Sequence, residues 1–416
     1  MINRPLKIGF VTTEYPTEGF TGGIGSYVRQ MANSLTGLGH TVYVLLYDTS
    51  SEGLSWDGPI AIHRFRASGP LSGLPWPLGK GASLLLARVL AKLASDLDLD
   101  VLEAPEWLGL TAFLSLVKPP KLRVVVRLHT CSSIIRRTNR SRPASLHERI
   151  DYVRRDWTEK RAIQTADRVT AVSKAIGGET QNALGLATAN FRIVPNAVKD
   201  SAFTPSDEAK VSGIPVVLFV GRLEWRKGPD LLIKAIPTVL QQHPNVIFRF
   251  AGLDTRTGPE NSSMKAYLES LLAEKCWANV EFCGHLGPAQ LEEVFRSATL
   301  CVFPSRYEGL PMVCLEAMAR GKAIVTTDLP GFCELIADGE SGLIVKAEDA
   351  EALAVALVKL IPADQLRTKL GDNARDIART HFNSTVVATS MLDVYRDSMD
   401  ETKSLPHVAS RLGQTK

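Results

Sequence analysis

Three clusters of residues have the types and spacing for chemistry, and each falls where an apolar run ends. The sharpest is Phe303-Pro304-Ser305-Arg306-Tyr307-Glu308-Gly309-Leu310-Pro311-Met312-Val313-Cys314-Leu315-Glu316-Ala317. Its pattern predicts a strand ending at Pro304, a loop carrying Glu308, and a helix starting near Pro311. Proline is tolerated at a first helical turn because its missing N–H would be an orphan there anyway. Such a helix start exposes the amides of Gly309, Leu310 and Met312 beside the Glu308 carboxylate. Glu316 lies about one turn inside this otherwise apolar helix. A carboxylate there is costly unless it is paired with Arg or Lys, or bonded to a ligand's hydroxyls.

The second cluster is Gly221-Arg222-Leu223-Glu224-Trp225-Arg226-Lys227-Gly228, again at a strand end. Gly-Pro then opens a helix, which places Arg222 and Lys227 near one helix N-terminus. Fixed cations and amide donors of this kind suit a diphosphate. The third is Thr21-Gly22-Gly23-Ile24-Gly25. A dinucleotide fingerprint needs glycine at its first, third and sixth positions directly after the first strand. Here Val28 takes the sixth position and ten residues follow Thr12 before Gly23, so this is no NAD site. Gly22 and Gly23 form either an anion site at a helix start or a plain tight turn.

His129 closes the run Arg123–His129, and a histidine at a strand end is either structural or catalytic. Asp96-Leu97-Asp98-Leu99-Asp100 has the spelling of a D-x-D metal site but precedes its strand instead of following it. It reads as a helix end plus loop, and no metal is expected to be required. Arg136, Arg137, Arg140 and Arg142 begin a basic region that continues through Arg149, Arg154, Arg155, Lys160 and Arg161. This region either meets anionic lipid or a phosphate-bearing acceptor, or is a solvated helix face interleaved with Glu148, Asp151, Asp156 and Glu159.

These residues need a scaffold, and the apolar pattern supplies one. Leu6–Thr12 and Thr41–Tyr47 read as strands, with Ile24, Tyr27, Val28, Met31, Ala32, Leu35 and Leu38 at helical spacing between them. Val101–Glu103, Arg123–His129 and Arg168–Val172 are further strands. The pattern restarts with strands at Pro215–Gly221, Asn245–Gly252, Val280–Cys283, Leu300–Phe303 and Ala323–Thr326. Helices are expected over Pro229–Gln242, Met264–Cys276 and Met312–Arg320. Alternation of this kind predicts two parallel sheets covered on both faces. The fold class is α/β, with two Rossmann-like doubly wound domains facing across a cleft. Boundaries fall at 1–198 for an N-terminal domain and 199–382 for a C-terminal one. A last helix over 383–400 and a polar tail over 401–416 follow.

Composition narrows the class. The chain has 416 residues, 45% apolar and 22% charged, with net charge +4. This is an ordinary globular balance, and the charge excess does not argue for nucleic acid. Six cysteines form no C-x-x-C pair, which suits reduced cytoplasmic thiols. No uncharged apolar stretch nears the ~20 residues that cross a bilayer.

Together the motifs resemble the retaining glycosyltransferases of the GT-B fold, family 4. The likeness runs from Gly22-Gly23 through Gly221-Arg222-Leu223…Lys227-Gly228 and Glu308-x₇-Glu316 to Pro330-Gly331…Glu334. The resemblance implies that Arg222 and Lys227 hold a donor diphosphate and that Glu316 binds ribose hydroxyls. It places Glu308 on the transferred sugar, with the Gly309, Leu310 and Met312 amides beside it. It sets His129 near the sugar, and Gly22 and Gly23 near the phosphates or the acceptor. The final helix would cross back to the N-terminal domain. A nucleotide-sugar donor is implied, UDP favoured over GDP, with a glycan or lipid-linked acceptor and peripheral contact with an anionic membrane as the other partners. No cofactor is implied. A nucleotide-sugar epimerase of the same fold and a non-catalytic sugar-nucleotide binder are the rival readings.

Overall fold

A computed structural model describes residues 4–18, 22–47, 51–68, 74, 76–78, 83–138, 145–186, 190–203 and 213–400. The chain divides into two compact units, 1–197 with 384–416, and 198–383. The tail 401–416 lies outside the described residues.

Unit 1 runs β1 (Lys7–Thr12), α1 (Gly23–Gly37), β2 (Thr41–Tyr47), β3 (Gly53–Asp57), β4 (Ile60–Phe65), α2 (Leu84–Asp96), β5 (Val101–Pro105), β6 (Arg123–Leu128), α3 (Ser132–Thr138), α4 (Leu146–Thr165), β7 (Arg168–Ala171), α5 (Lys174–Leu184) and β8 (Arg192–Ile193). Its eight strands lie in the order β3-β4-β2-β1-β5-β6-β7-β8. All neighbours pair in parallel except β3 with β4. This antiparallel hairpin departs from the all-parallel expectation. Its two-residue Gly58-Pro59 turn, with Gly58 at φ 58°, is the local chemistry that makes it.

Unit 2 runs β9 (Val216–Val220), α6 (Pro229–Gln242), β10 (Ile247–Ala251), α7 (Met264–Leu271), β11 (Val280–Gly284), α8 (Pro288–Ser297), β12 (Leu300–Phe303), α9 (Met312–Ala319), β13 (Ala323–Thr327), α10 (Pro330–Cys333), β14 (Leu343–Val345), α11 (Ala350–Leu360) and α12 (Asp364–His381). Its six strands are ordered β11-β10-β9-β12-β13-β14, all parallel. β9 and β13 are buried at every position, as parallel strands covered on both faces must be. The helix expected to reach Cys276 stops at Leu271. Leu272 and Cys276 are still buried, so the apolar spacing continues across a break into a 3-10 segment over Glu274–Asn279.

The last helix, α13 (Ser384–Met399), packs into unit 1. Val387, Ala388, Met391, Leu392 and Tyr395 share one apolar cluster with Ile8, Phe10 and Val44. At the start of unit 2 the Val198 N–H donates to the Phe382 carbonyl at 2.7 Å, so the two chain crossings run side by side.

The strand orders fix where a ligand belongs. In unit 1 the order reverses about β1 and β5; in unit 2 it reverses about β9 and β12. Open parallel sheets bind ligands beyond the carboxyl ends of the strands at such a point. The loops there carry Glu14, Gly22, Gly23 and Glu106 in unit 1, and Arg222, Lys227 and Glu308 in unit 2.

Candidate active site

In unit 2, two loops meet at the reversal point, and their backbones are stapled together. Gly228 sits at φ 65°, and a Cβ there would lie 1.9 Å from the Pro304 carbonyl oxygen. The Arg306 N–H donates to the Arg226 carbonyl at 2.7 Å. The Arg306 guanidinium donates to both oxygens of buried Asp230 at 2.6 and 2.8 Å, donates to Glu348 at 2.7 Å, and lies 3.9 Å over the Trp225 ring. On the other side of the loop, α10 closes in. A Cβ on Gly331 would come within 2.4 Å of the Glu308 carbonyl oxygen, so only glycine permits this approach.

That frame holds an alternating chain of charges. Arg222 pairs with Glu224 at 2.7 Å and Glu224 with Arg226 at 2.7 Å. Arg226 reaches Glu308 at 3.7 Å, and Lys227 meets Glu308 at 2.5 Å. The Ser305 hydroxyl adds a hydrogen bond to Glu308 at 2.9 Å. Burial pushes the Glu308 carboxyl up, but Lys227, Arg226 and Ser305 outweigh it and hold the group below its ordinary range. Burial lowers Lys227 more than Glu308 raises it. Three cations face two carboxylates in this chain, which leaves it one positive charge in excess.

The structure thus brings Lys227, Glu308 and the 309–312 turn together. Arg222 is half-exposed and tied to Glu224, and Arg226, which the sequence reading did not assign, sits beside Lys227 at the carboxylate. Glu316 lies on the partly buried face of α9, and its carboxylate makes no hydrogen bond with any described residue. Burial raises it, against the pull of Arg320 and Lys199. Arg320, the nearest candidate for pairing, instead binds Glu292 and the Glu316 carbonyl.

In unit 1 the loop after β1 folds back on the start of α1. The Glu14 carboxylate accepts from the Gly22 N–H at 2.7 Å and the Gly25 N–H at 3.0 Å. The anion at this helix start is therefore the chain's own side chain, a partner that the sequence reading did not name. His129 follows β6, and its backbone N–H donates to both oxygens of Glu106 at 2.9 Å. The His129 ring lies edge-on to Tyr27 at 5.2 Å. Burial, then the Arg127 charge, hold its pKa well below the ordinary imidazole value, so the ring is neutral. Glu106 is pushed up to about 8 by burial and the Glu159 charge; Glu159, bonded to Ser132 and Leu108, is pushed up to about 7 by burial. Beneath them Glu103 accepts from Tyr27 at 2.7 Å and from Tyr395. Buried Arg127 grips the Val194 carbonyl and the Asn196 side chain at 2.8 and 2.9 Å. The signal for these missed groups was legible: Glu103 and Arg127 stand alone inside apolar strands.

Of the basic region, Arg136 pairs with Asp156 at 2.6 Å and lies over the Tyr152 ring, and Arg137 meets Glu179 at 3.5 Å. Arg140 and Arg142 lie outside the described residues. Asp98 pairs with Lys7 and Lys121, and Asp100 with Arg4, so the D-x-D spelling is tied into ion pairs. Among the described residues no group of three or more His, Cys, Asp or Glu is placed to hold a metal ion.

Solved structures with this architecture define the class. Sucrose-phosphate synthase from Thermosynechococcus elongatus superposes with a TM-score of 0.75 at 22% identity, over 94% of this chain and 98% of that one. Anabaena HepE in complex with UDP gives a TM-score of 0.70 at 20% identity, over 94% and 100%. The fold is that of the GT-B glycosyltransferases. The family follows from sequence. Residues 21–202 match the model for Glycosyltransferase Family 4, and residues 200–377 that for glycosyl transferases group 1. D-inositol 3-phosphate glycosyltransferase of Acidothermus cellulolyticus is 30% identical, over 96% of this chain and 91% of the relative. Glycogen synthase of Mycobacterium tuberculosis is 24% identical over 94% of each. The chain belongs to the group 1, family 4 glycosyltransferases, and is a transferase that uses a sugar-nucleotide donor.

Proposed function

We propose that this enzyme transfers a hexose-type sugar from a UDP-sugar, in preference to a GDP-sugar, to a glycan or lipid-linked acceptor. Transfer retains the anomeric configuration and requires no metal ion. The setting is cytoplasmic, in cell-surface polysaccharide or glycolipid synthesis. The observation that carries the reading is the pairing at unit 2's reversal point: a cation-rich chain ending on Glu308, beside a Glu316 carboxylate without a hydrogen-bond partner among the described residues. HepE, a fold neighbour, was solved with UDP and glucose and with UDP-glucose, which favours uridine here. Six free cysteines suit a reducing compartment.

The chemistry follows from charge. Breaking the anomeric C–O bond leaves both electrons on the diphosphate oxygen and positive character on the sugar ring. Lys227, Arg226, Arg222 and the amides at the start of α9 supply positive potential for the leaving group. Glu308, kept ionised, faces the sugar and can accept its hydroxyls while opposing the ring's positive character. Glu316 accepts from the ribose hydroxyls. The incoming acceptor hydroxyl attacks from the face the diphosphate leaves, and its proton passes to that diphosphate. Neutral His129 carries one ring nitrogen that donates and one that accepts, the complement of a sugar hydroxyl.

Product analysis tests this. UDP-glucose and GDP-mannose are each offered with a panel of glycan and lipid-linked acceptors in EDTA, and the new linkage is read by NMR. An α-linked product from the α-linked UDP-sugar is expected. A β-linked product would refute retention, and conversion of the donor without acceptor would favour an epimerase.

A further inference from the structure

Unit 1 has its own reversal point, about β1 and β5. A transferase has a second substrate to seat, and an open parallel sheet seats a ligand there. The charge around this point is opposite to that of unit 2. Residues 13–18, 106–109 and 129–132 contain no Lys or Arg. The backbone N–H groups of these loops and helix starts are instead taken by the chain's own carboxylates. Gly22 and Gly25 donate to Glu14 at 2.7 and 3.0 Å, His129 to Glu106 at 2.9 Å, and Ser132 to Glu159 at 2.9 Å. The arginines of α3 are paired too, Arg136 with Asp156 and Arg137 with Glu179. Glu106 and Glu159 are buried; Glu14 is only partly so. A rigid turn presents it. The Thr12 hydroxyl donates to the Glu14 carbonyl at 3.0 Å and accepts from the Glu14 N–H at 3.2 Å. Tyr15, the next residue, is buried in the core with its hydroxyl on Asp57 at 3.0 Å. A carboxylate has about four acceptor positions, and the described residues fill two of those on Glu14.

We infer that Glu14 sets the acceptor class: unit 1 takes an uncharged sugar or polyol whose hydroxyls donate to the Glu14 carboxylate, and turns away an acceptor with a phosphomonoester beside its reacting hydroxyl. A hydroxyl gains a charge-assisted hydrogen bond at Glu14. A phosphate meets like charge, and the N–H groups that would bind it at the start of α1 are already occupied. The two units thus divide the chemistry, with phosphate recognition in unit 2 and hydroxyl recognition in unit 1. The inference rests on the reading of unit 2 as the donor site and narrows the acceptor of that same reaction.

Two readouts test it, and the first needs no acceptor. With UDP saturating, inorganic phosphate is titrated against chloride of equal ionic strength, and the melting temperatures of wild type and Glu14→Ala are compared. Wild type should not respond. Glu14→Ala frees the Gly22 and Gly25 N–H groups and should be stabilised by phosphate. The gain from UDP itself should be equal in the two proteins, which shows the fold intact. A UDP gain absent from both would defeat the donor reading, while the phosphate difference would still decide on Glu14. The second readout is transfer from UDP-glucose to a panel of free sugars and polyols, each offered beside its own phosphomonoester. Wild-type kcat/KM should favour the uncharged parent. Glu14→Gln should lower that value roughly tenfold or more, the worth of one hydrogen bond to a charged group, with the donor KM unchanged. Equal phosphate effects in wild type and Glu14→Ala overturn the proposal, as does a phosphomonoester that wild type uses better than its uncharged parent.

Discussion

Glu308 in unit 2 and Glu106 in unit 1 are both buried carboxylates in loops at the carboxyl ends of parallel strands, yet they are held in opposite states. Glu308 has Lys227 at 2.5 Å and Arg226 behind it, and its pKa is held down. Glu106 accepts the His129 N–H, has Glu159 as its charged neighbour, and its pKa is pushed up to about 8. Burial acts on both alike; the neighbours decide. The unit with cations keeps a fixed negative charge that can act on a cationic sugar. Glu106, whose charged neighbour is another carboxylate, keeps a proton and can fix a loop without adding charge.

The largest expected effect comes from removing the cation that makes this difference. Lys227→Met should lower kcat by ~10²–10³, the usual loss for one preorganised donor to a developing charge. It should also destabilise the fold by up to about 3–5 kcal/mol, because buried Glu308 is left with only Arg226 at 3.7 Å and the Ser305 hydroxyl to compensate it. Adding Glu308→Gln should restore the melting temperature without restoring the rate. A double variant that recovers both would make the pair purely structural.

The Glu106 side gives a smaller effect, with a definite sign. Its folded pKa is raised, so between the unfolded carboxyl value and about 8 the folded state keeps a proton that the unfolded chain loses. Stability is then highest on the acid side of that window and falls as pH rises through it, by up to about 1.4 kcal/mol per pH unit. Glu159 adds to the slope up to about pH 7. Glu308, held low, works the other way: its contribution is present above the unfolded value and is lost as pH falls through its depressed one. Glu106→Gln keeps an acceptor for the His129 N–H and should flatten the decline in melting temperature between pH 7 and 8. An unchanged slope would show that Glu106 is already ionised there.

Much of this contrast was legible before the fold was known. Long apolar runs at β9, β12 and β6 locate strand ends, and Glu308, Lys227 and His129 follow them directly. Helix α6 falls on its expected bounds because Gly228-Pro229 starts it and a strong apolar stripe sustains it. What stayed hidden depends on tertiary proximity. Arg306 and Asp230 are far apart in sequence and become one staple only when two loops meet. The Glu14 carboxylate caps α1 across a loop, which no spacing rule announces. Single charges inside apolar strands, Glu103 and Arg127, were visible as anomalies, but their partners come from α13 and from the 194–196 segment.

The most direct test of the central claim, that unit 2 carries a uridine-diphosphate donor site closed by Glu316, is thermal stabilisation in EDTA by UDP, GDP, ADP and NAD. At ~100 times its dissociation constant, UDP should add about 2.7 kcal/mol to wild-type stability, and Glu316→Ala should lose most of that gain. Stabilisation by NAD alone, or an equal UDP effect in wild type and Glu316→Ala, would contradict the account.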